Sequence, residues 1–138
     1  MGMRTYRRKR KLRVLIADDS VFTRKLLQKI LESTSKFEVA EEVSDGSSAV
    51  LSYDEIRPDI VIMDINMPVM DGLTAAKKIL SKDPSAIIVI VSASGSQELV
   101  IKEARKIGIK AVISKPFNPK DIINTLESLL KGDSHEEL

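Results

Sequence analysis

The sequence predicts an α/β protein built on one doubly wound, five-stranded parallel sheet with helices on both faces. Three observations predict it. Five short apolar runs, Leu12–Ala17, Phe37–Val43, Ile60–Met63, Ile87–Val91 and Ala111–Ser114, alternate with five segments of helical character. The first, third and fourth runs are continuously apolar and rich in Val and Ile, as in strands covered on both faces. Tandem βα units wind right-handed and place their helices on the two sides of a parallel sheet.

Each element has its own signal. Leu12–Ala17 is the first strand, and Ser20 caps a helix whose apolar stripe is Phe22, Leu26, Leu27, Ile30 and Leu31. Phe37–Val43 alternates apolar residues with Glu38, Glu41 and Glu42, the pattern of an edge strand. Gly46–Ile56 is the second helix, stopped by Pro58. After the strand Ile60–Met63, Asp71–Leu80 carries Leu73, Ala76, Ile79 and Leu80 at helical spacing. Ile87–Val91 is the fourth strand, followed by a helix over Ser96–Ile107 that carries Leu99, Val100, Ala104 and Ile107, with Gly108 as its cap. Ala111–Ser114 is the last strand. Asn118-Pro119 then opens a helix lined by Ile122, Ile123, Leu126, Leu129 and Leu130.

At 138 residues the chain is expected to form one domain over residues 12–131, between a disordered basic arm (1–11) and a polar tail (132–138). There is no cysteine, which excludes disulfides, zinc-thiolate sites and thiol nucleophiles. The one histidine, His135, lies in the tail, which excludes a histidine metal site or a Ser-His-Asp triad. No apolar run reaches the roughly 20 residues of a membrane span, and no signal-peptide core is present, so a cytoplasmic protein without a membrane partner is expected. Seven of the 22 basic residues fall between Arg4 and Arg13, leaving 15 basic against 20 acidic residues elsewhere. One short basic arm reads as a solvated extension rather than as a nucleic-acid contact.

The chemistry lies where the strands stop. Asp18 and Asp19 close the first run, Asp64 the third, Ser92 the fourth and Lys115 the fifth. In a doubly wound sheet the ligand crevice lies beyond the carboxyl ends, at the point where the winding reverses. With the strand order 2-1-3-4-5, taken over from flavodoxin-like folds, Asp18 and Asp19 come beside Asp64 there. Three neighbouring carboxylates repel one another unless a cation joins them. An all-oxygen donor set favours a hard ion, and Mg2+ suits a small carboxylate cluster that leaves room for water and phosphate. Such an ion could neutralise a phosphoryl group in transfer, one carboxylate could be the nucleophile, and Lys115 and Ser92 could hold phosphoryl oxygens. Taken singly, the aspartate pair could be a helix-start device, Ser92 a turn serine, Lys115 a surface lysine, and Met67-Pro68 and Asp71-Gly72 turn chemistry. Their common placement on one sheet edge favours one site.

These residues also carry a resemblance. Val14-Leu15-Ile16-Ala17-Asp18-Asp19-Ser20, Met63-Asp64-Ile65-Asn66-Met67-Pro68-Val69-Met70-Asp71-Gly72, Val91-Ser92-Ala93 and Lys115-Pro116-Phe117 resemble the four signatures of response-regulator receiver domains, most of all stand-alone CheY-like regulators. The resemblance runs from about Leu12 to Lys131 and implies a flavodoxin-like/CheY-like (βα)5 fold. It implies that Asp64 is the phosphoacceptor and that Asp18, Asp19, Asp64 and the backbone carbonyl of Asn66 hold Mg2+, Asp18 mainly through water. Ser92 and Lys115 would follow the phosphoryl group, a cis Lys115–Pro116 bond would fix the lysine's approach, and Ala93 would leave an entrance for the donor. Asn66 and Ser94 would tune the lifetime of the phosphoryl group.

The implied function is a two-component phosphorylation switch, with chemotaxis as one setting. A sensor histidine kinase or phosphotransfer protein would be the donor, and a downstream protein would bind the Ser96–Leu130 face. Such a chain is not an enzyme towards metabolites; it catalyses only its own phosphotransfer and dephosphorylation. One position departs from the family: Val112 stands where receivers often carry Tyr or Phe, so signalling is expected through the Ser92–Ile101 segment instead. The alternatives are the receiver fragment of a transcription regulator, a small Mg2+-dependent aspartyl-phosphate phosphatase, a nucleotide or flavin module, and a degenerate receiver that only docks partners. The phosphatase lacks a loop long enough for a lid, and the acidic, glycine-free turn Ala17-Asp18-Asp19-Ser20 would repel a nucleotide phosphate.

Overall fold

A computed structural model describes residues 10–93 and 97–136. The strands are β1 (Leu12–Ala17), β2 (Phe37–Val43), β3 (Ile60–Asp64), β4 (Ile88–Ser92) and β5 (Ala111–Ser114). The helices are α1 (Val21–Glu32), α2 (Gly46–Ile56), α3 (Gly72–Lys82), α4 (Gln97–Ile107) and α5 (Pro119–Glu136). All strand pairs are parallel and the order is β2-β1-β3-β4-β5, as expected.

Period-two alternation divides the strands between two cores. Leu15, Ala17, Val61, Met63, Ile88 and Ile90 face α2, α3 and α4 and pack with Ala49, Tyr53, Ala76, Ile79 and Ala104. Val14, Ile16, Ile60, Ile62, Val89 and Val91 face α1 and α5 and pack with Leu27, Ile30, Leu31, Ile122 and Leu126. Every residue of β3 and β4 is buried, which explains why neither strand shows polar alternation. Strand β2 pairs with β1 alone, and its register shifts at Ala40, a bulge on the glutamate-bearing edge.

The caps are those foreseen or close to them. Ser20 accepts from the Thr23 N–H, and Gly108 ends α4 at φ 106°. Asn118 and Asp121 exchange side-chain and backbone hydrogen bonds around Pro119, a reciprocal capping box. Asp71 is itself the cap of α3, accepting from the Thr74 N–H, so that helix starts at Gly72.

Several expectations need correction. β3 and β4 extend to Asp64 and Ser92, so these side chains are the last residues of their strands rather than the first beyond them. Phe22, placed on the apolar stripe of its helix, is 76% exposed, and Leu99 near the start of α4 is 69% exposed. Helical backbone continues across Gly132 to Glu136, where a tail was expected; one glycine inside a helix costs only about 1 kcal/mol relative to alanine. Residues 1–9, Ser94 and Ser96 lie outside the described residues.

Candidate functional site

The carboxyl edge of the sheet assembles the site. The register sets Ala17 beside Met63, Asp64 beside Val91 and Ser92 beside Ser114, so the ends of four adjacent strands fall level. The Lys115 N–H donates to the Ser92 carbonyl (2.8 Å), which carries β5's alignment one residue further and brings the lysine to the same edge.

Asp18 is buried and fixed on every side. Its N–H donates to the Val43 carbonyl (3.1 Å), and its carbonyl accepts from Arg24 Nη1 (2.6 Å). Its Oδ1 accepts from the Ser20 N–H (2.9 Å), and its Oδ2 lies 3.3 Å from Lys115 Nζ. Asp64 is also buried, with Oδ2 3.4 Å from the same ammonium. Asp19 is exposed, yet one oxygen from each of Asp18, Asp19 and Asp64 lies within 4.8 Å of the others. Two buried carboxylates, one open one, and no sulfur or imidazole among the donors make a set that fits a hard divalent cation.

Burial raises the Asp64 carboxyl above its ordinary value, and the Asp18 charge adds to the effect. The Lys115 ammonium and the Asn66 N–H, both hydrogen-bonded to the carboxylate, work in the opposite direction. Ser92 is buried at the end of β4, next to Asp64 in strand order. Asn66 sits exposed on the loop after β3. The structure thus brings all six expected residues to one edge, and the Lys115–Pro116 bond is cis.

Sequence reasoning missed what holds the loop after Asp64. The Gly72 N–H donates to the Ile65 carbonyl (2.7 Å) and the Gly46 N–H to the Met70 carbonyl (3.1 Å). Between them Val69 has φ 69°, unusual for a β-branched residue, in a tight turn closed by the Met70 N–H on the Pro68 carbonyl (2.7 Å). A methyl group at Gly46 would strike the Met70 carbonyl, and one at Gly72 the Asp64 carbonyl. An Asp-Gly pair marks a turn in any sequence; that this one lets a helix start against the site's own strand required coordinates. Also unforeseen is an apolar cleft of about 350 Å3 beside Lys115, lined by Phe22, Leu26, Ala93, Pro116 and Phe117. Phe22 belongs to this cleft rather than to the core.

The family model described as response regulator receiver domain matches residues 14–127, most of the chain. The chain belongs to that family. This receiver is 45% identical to the chemotaxis protein CheY of Listeria monocytogenes over 120 residues, which cover 87% of this chain and 99% of that one. It is 46% identical to CheY of Thermotoga maritima over 119 residues, 86% of this chain and 98% of the relative. Among solved structures, the receiver resembles the CheX–CheY–BeF3–Mg2+ complex of Borrelia burgdorferi with a TM-score of 0.82 and 37% identity, covering 86% of this chain and 89% of that one. It is thus a close relative of the CheY proteins in sequence and fold. Among the described residues, no helix of the receiver is long and apolar enough to cross a membrane.

Proposed function

We propose that this receiver is a phosphorylation switch in which Asp64 takes a phosphoryl group from a phosphohistidine of a sensor kinase or phosphotransfer protein. The observation that carries the reading is the environment of Asp64: a buried carboxylate at a strand end, beside an ammonium and two further carboxylates. An Asp64 oxygen attacks the phosphorus, the phosphorus–nitrogen bond of the donor breaks, and the acyl phosphate forms as the imidazole leaves with its electron pair. Mg2+, held by Asp18, Asp19, Asp64 and the Asn66 carbonyl, supplies positive charge to the phosphoryl oxygens. The Borrelia burgdorferi CheY relative was solved with Mg2+ and BeF3, a phosphomimetic, which supports this assignment by similarity.

Lys115 moves no proton in this scheme. Its ammonium already faces Asp18 and Asp64, and it pairs with the charge that the phosphoryl group adds. Ser92 donates its hydroxyl to a phosphoryl oxygen from the adjacent strand end, and exposed Ala93 leaves the approach open. Hydrolysis of the acyl phosphate resets the switch, so the only chemistry is the chain's own modification and its reversal. Output runs through a protein partner on the face formed by α4, β5 and α5. The relatedness to CheY proteins favours a chemotaxis partner, and the reading carries a cytoplasmic location with it.

The test is transfer from a phosphorylated histidine kinase domain. Wild-type chain should become labelled in the presence of Mg2+, and Asp64→Asn should not. Equal labelling of the variant would overturn the assignment of Asp64.

A further inference from the structure

Arg24 plays no part in the scheme above, yet its side chain is only 17% exposed and ties α1 to the residue after β1 and to β2. From the first turn of α1 its Nη1 donates to the Asp18 carbonyl (2.6 Å), while Nε donates to the half-buried Glu42 side chain on β2 (3.2 Å). We propose that Arg24 is a positioning residue that aims the Asp19 carboxylate into the metal cluster by holding the Asp18–Asp19 peptide. The inference rests on the Mg2+ reading of that cluster.

The Asp18 carbonyl and the Asp19 N–H belong to one rigid peptide unit, so fixing that oxygen fixes the plane from which Asp19 departs. Asp18 does not need the help: its N–H, Oδ1 and Oδ2 are each held by another group. Asp19 is the exposed member of the cluster, and the peptide that precedes it is the handle by which the structure restrains it. Glu42 completes the arrangement in two ways. It orients the guanidinium, and it offsets a positive charge that would otherwise stand beside a cation site.

That charge makes the test decisive in sign. If Arg24 acted on the site only through Coulomb repulsion of the cation, neutralising it would tighten Mg2+ binding. A positioning role predicts the opposite. Groups that orient metal ligands typically account for ten- to a hundred-fold in metal affinity, and a group acting through the backbone belongs at the lower end, about tenfold.

The experiment titrates Mg2+ alone into the full chain and follows amide NMR shifts, for wild type, Arg24→Met, Arg24→Lys, Asp19→Ala and the Arg24→Met/Asp19→Ala pair. Arg24→Met should raise the Mg2+ Kd about tenfold, and Arg24→Lys, which keeps a donor for the Asp18 carbonyl, should recover part of the loss. In the Asp19→Ala background Arg24→Met should weaken residual binding no further, since both changes remove the same restraint. Unchanged or tighter binding in Arg24→Met, or losses that add in the double variant, would overturn the proposal. Should Arg24→Met not give a folded spectrum, Arg24→Gln, neutral but polar, poses the same question of sign. A wild-type chain with no saturable response would remove the Mg2+ reading, whereas a responsive wild type with indifferent Arg24 variants would remove this inference alone.

Discussion

Gly72 stands against the backbone carbonyl of Asp64 so closely that a single added methyl group would collide with that oxygen. Helix α3 therefore begins in contact with the strand end that carries the central carboxylate, and the Gly72 N–H ties back to Ile65 one residue further on. The start of a helix and the position of an acidic side chain are one packing problem here.

Gly72→Ala should consequently cost about 1 to 3 kcal/mol of stability, the usual range for forcing atoms into a filled space. Because the collision is with Asp64 itself, phosphorylation should slow as well. Urea unfolding gives the first quantity and the rate of labelling the second. A variant as stable and as fast as wild type would mean that the loop gives way without effect.

Asp64→Asn should make the fold more stable at neutral pH. Burial raises the Asp64 carboxyl in the folded state, so the folded chain holds this proton more tightly than the unfolded chain does. The stabilisation that protonation provides is complete below the ordinary value of 3.8 and is lost as pH rises through the higher folded value. In EDTA, the melting temperature of Asp64→Asn should thus gain on that of wild type as the pH is raised from below 3.8 to 7. A constant difference across that range would contradict the assignment of the shift to Asp64.

Lys115→Ala should still permit modification but blunt the partner-binding change that follows it. The ammonium holds the Asp64 carboxyl down against the effect of burial, so its removal should move the acid limb of the phosphorylation rate to higher pH. Rates of labelling between pH 5 and 8 check the direction, and a partner titration with phosphorylated chain checks the output.

Val112 lines a cleft of about 190 Å3 with Ile101, Ala104, Ile109 and Ala111. Val112→Phe should fill part of it and stabilise the fold by about 1 kcal/mol, a typical gain for cavity filling. If output runs through the segment from Ser92 to Ile101, as the valine at position 112 led us to expect, the gain in partner affinity on phosphorylation should be the same in both chains. An altered gain would return the last strand to the signalling route.

Much of this arrangement was legible in the sequence because strand ends are legible. The bounds of β1, β2, α2 and β5 follow from apolar runs and punctuation alone, and the runs carry Asp18, Asp19, Asp64, Ser92 and Lys115 to one edge. What could not be read is what depends on distance between elements. The stripe of α1 placed Phe22 inward, but periodicity cannot tell where a core ends, and the ring lines the cleft beside Phe117 instead. Arg24 looks like any surface arginine of an amphipathic helix until β2 brings Glu42 beside it. Gly46 and Gly72 read as helix-start and turn glycines; their necessity comes from the Met70 and Asp64 carbonyls that approach them.

The proposed switch depends on Asp64 becoming an acyl phosphate in a Mg2+-dependent reaction of this chain. Intact-protein mass after incubation with acetyl phosphate tests it most directly, in Mg2+ and again in EDTA, for wild type and Asp64→Asn. Wild type should gain one phosphoryl group with Mg2+, and neither wild type in EDTA nor the variant should gain any. A folded wild-type chain that gains nothing with Mg2+, or a variant that gains as much, would contradict it.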